Sequence, residues 1–174
     1  MKRVLTIFIT LVVSVVIAGG CKCDYRLNNN ILLDANKLNA AKLSYEKSVE
    51  DKIKNSTPKE ALLLALKFYG VEHPNVVFSQ AVLETGNFKS NVCRTRNNLF
   101  GLYDSYNDEY YKFNHWSESV IAYRKYIQNK YTNKSENYYA FLKRIGYAED
   151  EGYIEKVKKI ERILKKRGGN YYKK

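Results

Sequence analysis

The residues with the clearest potential for chemistry lie between Ser79 and Leu102. Within this segment Glu84 ends an apolar helical run and is followed at once by Thr-Gly, which is typical of a turn. The negative end of the helix dipole and apolar neighbours both disfavour a charged carboxylate, so this position predicts a raised pKa. A carboxyl that keeps its proton can act as a general acid on a glycosidic bond. A solvated carboxylate at a helix end is the alternative.

A short segment with two asparagines follows further along the chain, at Asn97-Asn98-Leu99-Phe100-Gly101. The amides of Asn97 and Asn98 can either hydrogen-bond to a sugar or fix the loop. Phe100 is expected to pack in the core beneath the site. The segment therefore predicts an acid that faces a polar loop.

The elements that must position these residues are mostly helical. Thr57, Pro58 and Glu60 have the spacing of a helix start with a capping box, and Gly70 stops the run that follows. Irregular polar and aromatic residues over Leu102–Phe113 predict a short β-hairpin or a lobe-like loop. We expect a mainly α domain with a small β-hairpin lobe. The other helices are predicted over Asn75–Thr85, from Ser117, over Asn137–Ile145 and over Tyr153–Arg167.

Four short motifs in this chain resemble, in order, those of the glucosaminidase family. Gln80–Gly86 is similar to AQAxLESGWG, and Asn97–Leu102 is similar to NNLFGIK. Trp116–Val120 is similar to SWEES, and Tyr147–Tyr153 to YATDPxY. This family is glycoside hydrolase family 73, which has a mannosyl-glycoprotein endo-beta-N-acetylglucosaminidase-like domain. The resemblance implies a lysozyme-like fold.

The resemblance also implies roles for individual residues. Glu84 falls on the position of the general acid, and Tyr147 on a tyrosine that lines the catalytic cleft or fastens two helices. A second carboxylate is not fixed by any motif, so Glu109 and then Asp108 are the preferred candidates in the hairpin, with a solvated charge as the alternative for each. The residues expected to bind sugar by amide hydrogen bonds or aromatic stacking are Asn97, Asn98, Phe88, Tyr103 and Tyr153.

The uncertain second carboxylate leaves two mechanisms open. An inverting enzyme needs a distant base, whereas a substrate-assisted enzyme uses the 2-acetamido oxygen of the sugar and needs only the acid and groups that orient the amide. Tyr147 could be such a group. The lysozyme-like fold also leaves muramidase, lytic transglycosylase and an inactive wall-binding protein as alternatives.

The N-terminal residues are typical of an export signal. Lys2 and Arg3 precede an apolar run that is short for a membrane span, and Ala18-Gly19-Gly20 lead into Cys21, as in a bacterial lipobox. We expect a lipoprotein signal peptide over 1–20, lipidation of Cys21, and a location in the bacterial cell envelope. A partly helical tether is expected over 21–55, the glucosaminidase domain over 56–168 and a tail over 169–174.

Charge and composition restrict the partners. The chain carries 30 Lys and Arg against 18 Asp and Glu, which favours an anionic partner. The export signal and the lack of a binding motif argue against nucleic acid, and the cysteines and histidines form no metal-binding pattern. Together with the resemblance to the glucosaminidase family, these observations predict a monomeric peptidoglycan hydrolase without cofactor or metal. It would cut glycan strands at the β-1,4 bond between N-acetylglucosamine and N-acetylmuramic acid.

Overall fold

A computed structural model describes residues 25–168 and 172, with side chains described from residue 32 onward. These residues form seven α-helices, a short 3-10 helix and a two-stranded antiparallel sheet, which confirms the predicted mainly α, lysozyme-like class with a small hairpin lobe. The helices are α1 (Tyr25–Lys54), α2 (Pro58–Phe68), α3 (Pro74–Glu84), α4 (Asn91–Arg96), α5 (Trp116–Tyr126), the 3-10 helix (Gln128–Lys130), α6 (Tyr138–Arg144) and α7 (Tyr153–Lys166). The strands are β1 (Tyr103–Asp104) and β2 (Glu109–Tyr110).

Local signals set the ends of helix α2. The backbone N–H of Thr57 donates to Glu60 Oε2 at 2.9 Å, and the Thr57 hydroxyl donates to the same oxygen at 2.8 Å. These hydrogen bonds stabilise the charged form of Glu60 and lower its pKa. Gly70 follows the helix with a φ of +66°, a left-handed conformation that favours glycine. The predicted start and stop of this helix are confirmed.

The chain divides into two units, residues 1–45 and 46–174. The described part of the first unit belongs to α1, where Leu32, Leu38 and Leu43 are exposed. In the second unit the end of α1 contributes Val49 and Ile53 to the hydrophobic core. The proposed division at residues 55 and 56 stays a prediction.

The core of the second unit holds α3 between other helices. Helix α3 packs against α7 and α2, and α2 also packs against α5. Trp116, at the start of α5, is 5% exposed, and its indole N–H donates to the carbonyl of Ser56 at 2.8 Å. The buried apolar side chains that fill this core include Leu62, Leu66, Val77, Ala81, Leu99, Val120, Phe141 and Leu164.

The predicted export signal over 1–20 and Cys21 lie outside the described residues, as does the predicted tail except for Tyr172. Across the residues that are described, no helix combines the length and apolar character needed to cross a membrane.

Candidate active site

Glu84 is the last residue of α3, where its side chain is exposed to solvent on one side. Surrounding protein atoms still displace part of its hydration, and this desolvation raises the pKa of the carboxyl. A hydrogen-bonding interaction with the Tyr153 hydroxyl acts in the opposite direction. The sequence predicted a raised pKa for Glu84, and in the fold the main cause of this rise is partial burial of the carboxyl.

The carboxyl of Glu84 faces the end of the asparagine loop. A Cβ atom added to Gly101 would lie 3.9 Å from Glu84 Oε2, and Gly101 has a φ of +60°. Glycine is favoured here because the backbone is left-handed, and the distance shows that Gly101 lies next to the acid.

The raised pKa gives a stability prediction for Glu84→Gln. The folded state binds the Glu84 proton more tightly than the unfolded state, so the contribution of this carboxyl is retained below its unfolded pKa and lost as the pH rises through its folded pKa. We expect the variant to unfold at a higher temperature than the wild type at pH 7, by roughly 1–2 °C because solvent reaches the group. Thermal unfolding at pH 7 and pH 3.5 measures this; a difference that does not shrink at the lower pH would contradict it.

Tyr147 and Tyr153 come from the closing motif and lie beside Glu84. The Tyr147 hydroxyl donates to the carbonyl of Phe100 at 3.3 Å, and its ring centroid is 5.7 Å from that of Tyr153. Tyr147 is half-buried and Tyr153 is 6% exposed. Desolvation raises the pKa of both phenols, and the nearby Glu84 charge raises them further. Both hydroxyls therefore keep their protons and can donate hydrogen bonds.

Asn97 and Asn98 use their amides to hold the loop. The Asn98 amide nitrogen donates to the carbonyls of Leu102 and Tyr111, at 2.8 and 3.1 Å, and its oxygen accepts from the N–H of Phe100 and Leu102, at 3.3 and 3.0 Å. The Asn97 amide nitrogen donates to two further carbonyls at 3.0 Å. The sequence left sugar binding and loop stabilisation as alternatives for these two residues. The hydrogen bonds in the structure are those of loop stabilisation.

The hairpin carboxylates have partners of their own. Glu109 accepts a hydrogen bond from Arg96 Nη1 at 3.1 Å and forms a salt bridge with it. Asp108 accepts from the Tyr103 hydroxyl at 2.5 Å, which ties two of the predicted site residues to each other.

Phe88 faces a different part of the surface. It has a φ of +64° in the turn after α3, and with Cys93, Arg94 and Trp116 it lines a hollow of about 330 Å³. Its ring lies 6.4 Å from that of Tyr172. The structure thus brings together Glu84, Tyr147 and Tyr153 and places Phe88 in this separate hollow.

Sequence reasoning missed Gln80, which is fully buried one helical turn before Glu84. Its amide nitrogen donates to the Tyr153 hydroxyl at 3.2 Å, and its oxygen accepts from the Tyr123 hydroxyl at 2.7 Å. A polar residue on the same helical face as Val77, Ala81 and Glu84 was the available signal, because a buried amide needs partners. The side chains of the described residues include no group of His, Cys, Asp or Glu that could hold a metal ion.

Comparison with protein families gives a match over residues 59–166, to the family described as Glucosaminidase, mannosyl-glycoprotein endo-beta-N-acetylglucosaminidase. Comparison with curated proteins and with solved structures gives no match. The matched range contains all four motifs, and with them Glu84, Gly101, Tyr147 and Tyr153.

Proposed function

This chain belongs to the glucosaminidase family and is a glycosidase, and we propose that it hydrolyses peptidoglycan at the β-1,4 bond between N-acetylglucosamine and N-acetylmuramic acid. The observation that carries the proposal is that Glu84, itself in the first motif, is met by residues from two other motifs: Gly101 from the asparagine loop, and Tyr147 and Tyr153 from the closing motif. The net charge of +12 supports an anionic polymer as the substrate.

Glu84 acts as the general acid in this proposal. Its raised pKa keeps it protonated at a pH where an ordinary glutamate is ionised, and it donates its proton to the leaving glycosidic oxygen. The carboxylate that forms then faces the hydroxyl of Tyr153. A hydrogen bond to an ionised acceptor is stronger than one to a neutral acceptor, so this contact stabilises the site as the proton leaves.

The nucleophile in the proposed reaction is the 2-acetamido oxygen of the substrate. Its attack on C1 as the glycosidic bond breaks forms a cyclic oxazolinium. Water then opens this ring and gives a proton to the Glu84 carboxylate, which restores the acid. Tyr147 is the group placed to orient the acetamido group, because it lies beside Glu84 and its oxygen can accept from the acetamido N–H while its own proton goes to the Phe100 carbonyl. The substrate-assisted route is favoured over a distant base because Glu109 and Asp108 are each engaged with another side chain.

The proposed location follows from the N-terminal sequence. Export through residues 1–20 and lipidation at Cys21 would hold a monomeric enzyme at the cell envelope, beside the polymer that it cuts.

Digestion of purified sacculi tests the bond that is cut. The products are reduced with borohydride, which labels each new reducing end, and are identified by mass spectrometry. We expect reduced N-acetylglucosamine ends. Reduced muramic acid ends would indicate a muramidase instead, and anhydromuramic ends a lytic transglycosylase. Sedimentation with sacculi without released products would indicate an inactive wall-binding protein.

A further inference from the structure

A continuous line of buried polar side chains runs through the core towards Glu84. Four of them form what we call the relay, and each is hydrogen-bonded to the next. Its members are at most 5% exposed, in a core where an unpaired polar group is costly. The relay consists of Gln128, Tyr138, Tyr123 and Gln80.

Backbone groups determine which atom donates and which accepts at Gln128, the end of the relay furthest from Glu84. The backbone N–H of Glu72 donates to Gln128 Oε1 at 3.0 Å, and the Glu72 carbonyl accepts from Gln128 Nε2 at 2.7 Å. A backbone N–H can only donate and a carbonyl can only accept, so the Gln128 amide has one orientation. Its nitrogen therefore donates its second proton to the Tyr138 hydroxyl, at 2.9 Å.

The remaining hydrogen bonds of the relay are donated in the same direction, towards Tyr153. Gln128 Nε2 can only donate, so among the described contacts the Tyr138 proton has the Tyr123 oxygen as its acceptor, at 3.0 Å. The Tyr123 proton goes to Gln80 Oε1, at 2.7 Å. The Gln80 amide nitrogen is thereby turned to Tyr153, and it donates to the hydroxyl of Tyr153 at 3.2 Å.

The proton of Tyr153 has two acceptors in reach. Gln80 Nε2 has no lone pair to offer, so the proton points to the Glu84 carboxyl or to the Tyr147 oxygen. Tyr147 donates its own proton to the Phe100 carbonyl. An ionised Glu84 is the stronger of the two acceptors, whereas a protonated Glu84 lets the Tyr153 proton turn towards Tyr147.

We propose that the relay residues are positioning residues, which hold Tyr153 as a hydrogen-bond donor to Glu84 in its ionised state. The proposal rests on the proposed role of Glu84 as the general acid. Because every relay donor points towards the site, no relay group can take the Tyr153 proton. The Glu84 carboxylate therefore meets a donor as it forms, without rearrangement of the core.

Tyr123→Phe tests the relay at a buried position outside the site. Without the Tyr123 hydroxyl, the Gln80 amide loses its fixed orientation, and its oxygen can accept the Tyr153 proton in place of Glu84. The titratable groups set against Glu84 in the described chain are the hydroxyls of Tyr147 and Tyr153. Loss of donation from Tyr153 therefore moves the Glu84 titration to higher pH.

The titration is measured directly by carbon-13 NMR of the side-chain carboxyls, with the Glu84 signal assigned from Glu84→Gln. In Tyr123→Phe we expect the Glu84 signal and the alkaline limb of kcat/KM to move to higher pH. We also expect kcat to fall about fivefold with KM unchanged, since one hydrogen bond to the carboxylate is weakened.

Tyr131→Phe is the matched control. Tyr131 is also buried and packs against Tyr138, but its hydroxyl donates to the carbonyl of Glu136, outside the relay. We expect the Glu84 titration to be unchanged in this variant. Equal shifts in Tyr123→Phe and Tyr131→Phe would overturn the proposal, as would no shift in Tyr123→Phe.

Tyr153→Phe keeps the proposal testable if Tyr123→Phe does not fold. It removes the donor itself, so it should raise the Glu84 titration at least as far as Tyr123→Phe. Adding Tyr123→Phe to it should produce no further shift, because the relay acts only through Tyr153. A fully additive double variant would overturn the relay. NMR reads the carboxyl without substrate, so a failed relay stays distinguishable from a failed assignment of the catalytic acid.

Discussion

Glu84→Gln is expected to reduce kcat/KM for sacculus digestion by about a hundred- to ten-thousandfold, the range that a general acid supplies. The amide has nearly the shape of the protonated carboxyl and can still meet the Tyr153 hydroxyl, but it has no acidic proton to give to the leaving oxygen. The fold should be retained, and substrate affinity should change little. The measurement is the initial rate of release of reducing ends, with affinity followed separately by sedimentation with sacculi.

Glu155→Gln provides the same chemical change at a carboxylate that is not among the groups that shift the pKa of Glu84. Glu155 lies in the first turn of α7, is exposed, and pairs with Lys158 at 2.8 Å. An exposed pair of this kind contributes little, so this variant should digest at the wild-type rate. If Glu84→Gln digests as fast as Glu155→Gln, Glu84 is not the general acid.

The helix positions were predictable because local residues set them. Thr57, Pro58 and Glu60 determine the start of α2 through contacts within one turn, and Gly70 ends it through its own backbone conformation. Such signals survive in the bare sequence because the interacting groups are neighbours in the chain. The helix start at Trp116 and the end of α3 at Glu84 were predictable within one or two residues for the same reason.

Short helices, and side-chain contacts between residues distant in the sequence, were not predictable. Helix α4 and the 3-10 helix at Gln128–Lys130 were missed because each is short and carries no strong apolar period. The pairing of Glu109 with Arg96 depends on how the hairpin folds back over α4. The same holds for Gln80 and Tyr123, whose side chains meet across 43 positions. Motif order identified the residues of the site, but the fold alone supplied their hydrogen-bond partners.

Asn98 shows how a motif residue can act entirely through the fold. It is 1% exposed, and its amide makes four hydrogen bonds with backbone groups of the loop and the following strand region. This loop carries the Phe100 carbonyl that accepts from Tyr147, and Gly101 beside Glu84. The shape of the acid's surroundings therefore depends on one buried amide.

Asn98→Leu is expected to lower the free energy of unfolding by about 3–5 kcal/mol, because it keeps the side-chain volume but removes the partner of the Phe100 and Leu102 N–H groups and of the Tyr111 carbonyl. The Leu102 carbonyl keeps its hydrogen bond from the N–H of Tyr111. Urea unfolding monitored by circular dichroism measures this, with activity expected to fall as the loop loosens. Asn107→Ala is the control: the Asn107 side chain is exposed and donates to Asp104 within the hairpin, so a change within about 0.5 kcal/mol is expected. A loss below about 1 kcal/mol for Asn98→Leu would contradict the structural role.

Asn98→Asp separates the two halves of the amide. The new carboxylate can still accept from the N–H groups of Phe100 and Leu102, but its other oxygen faces the carbonyls of Leu102 and Tyr111, which the amide nitrogen met as a donor. Only the protonated acid can donate there, so its pKa in the folded state should exceed the unfolded value of about 4. Stability is then retained below the unfolded pKa and lost as the pH rises through the folded one. Asn98→Asp should therefore approach wild-type stability at pH 3.5 and fall well below it at pH 7, whereas Asn98→Leu should show the same deficit at both, which urea titrations at the two pH values can establish.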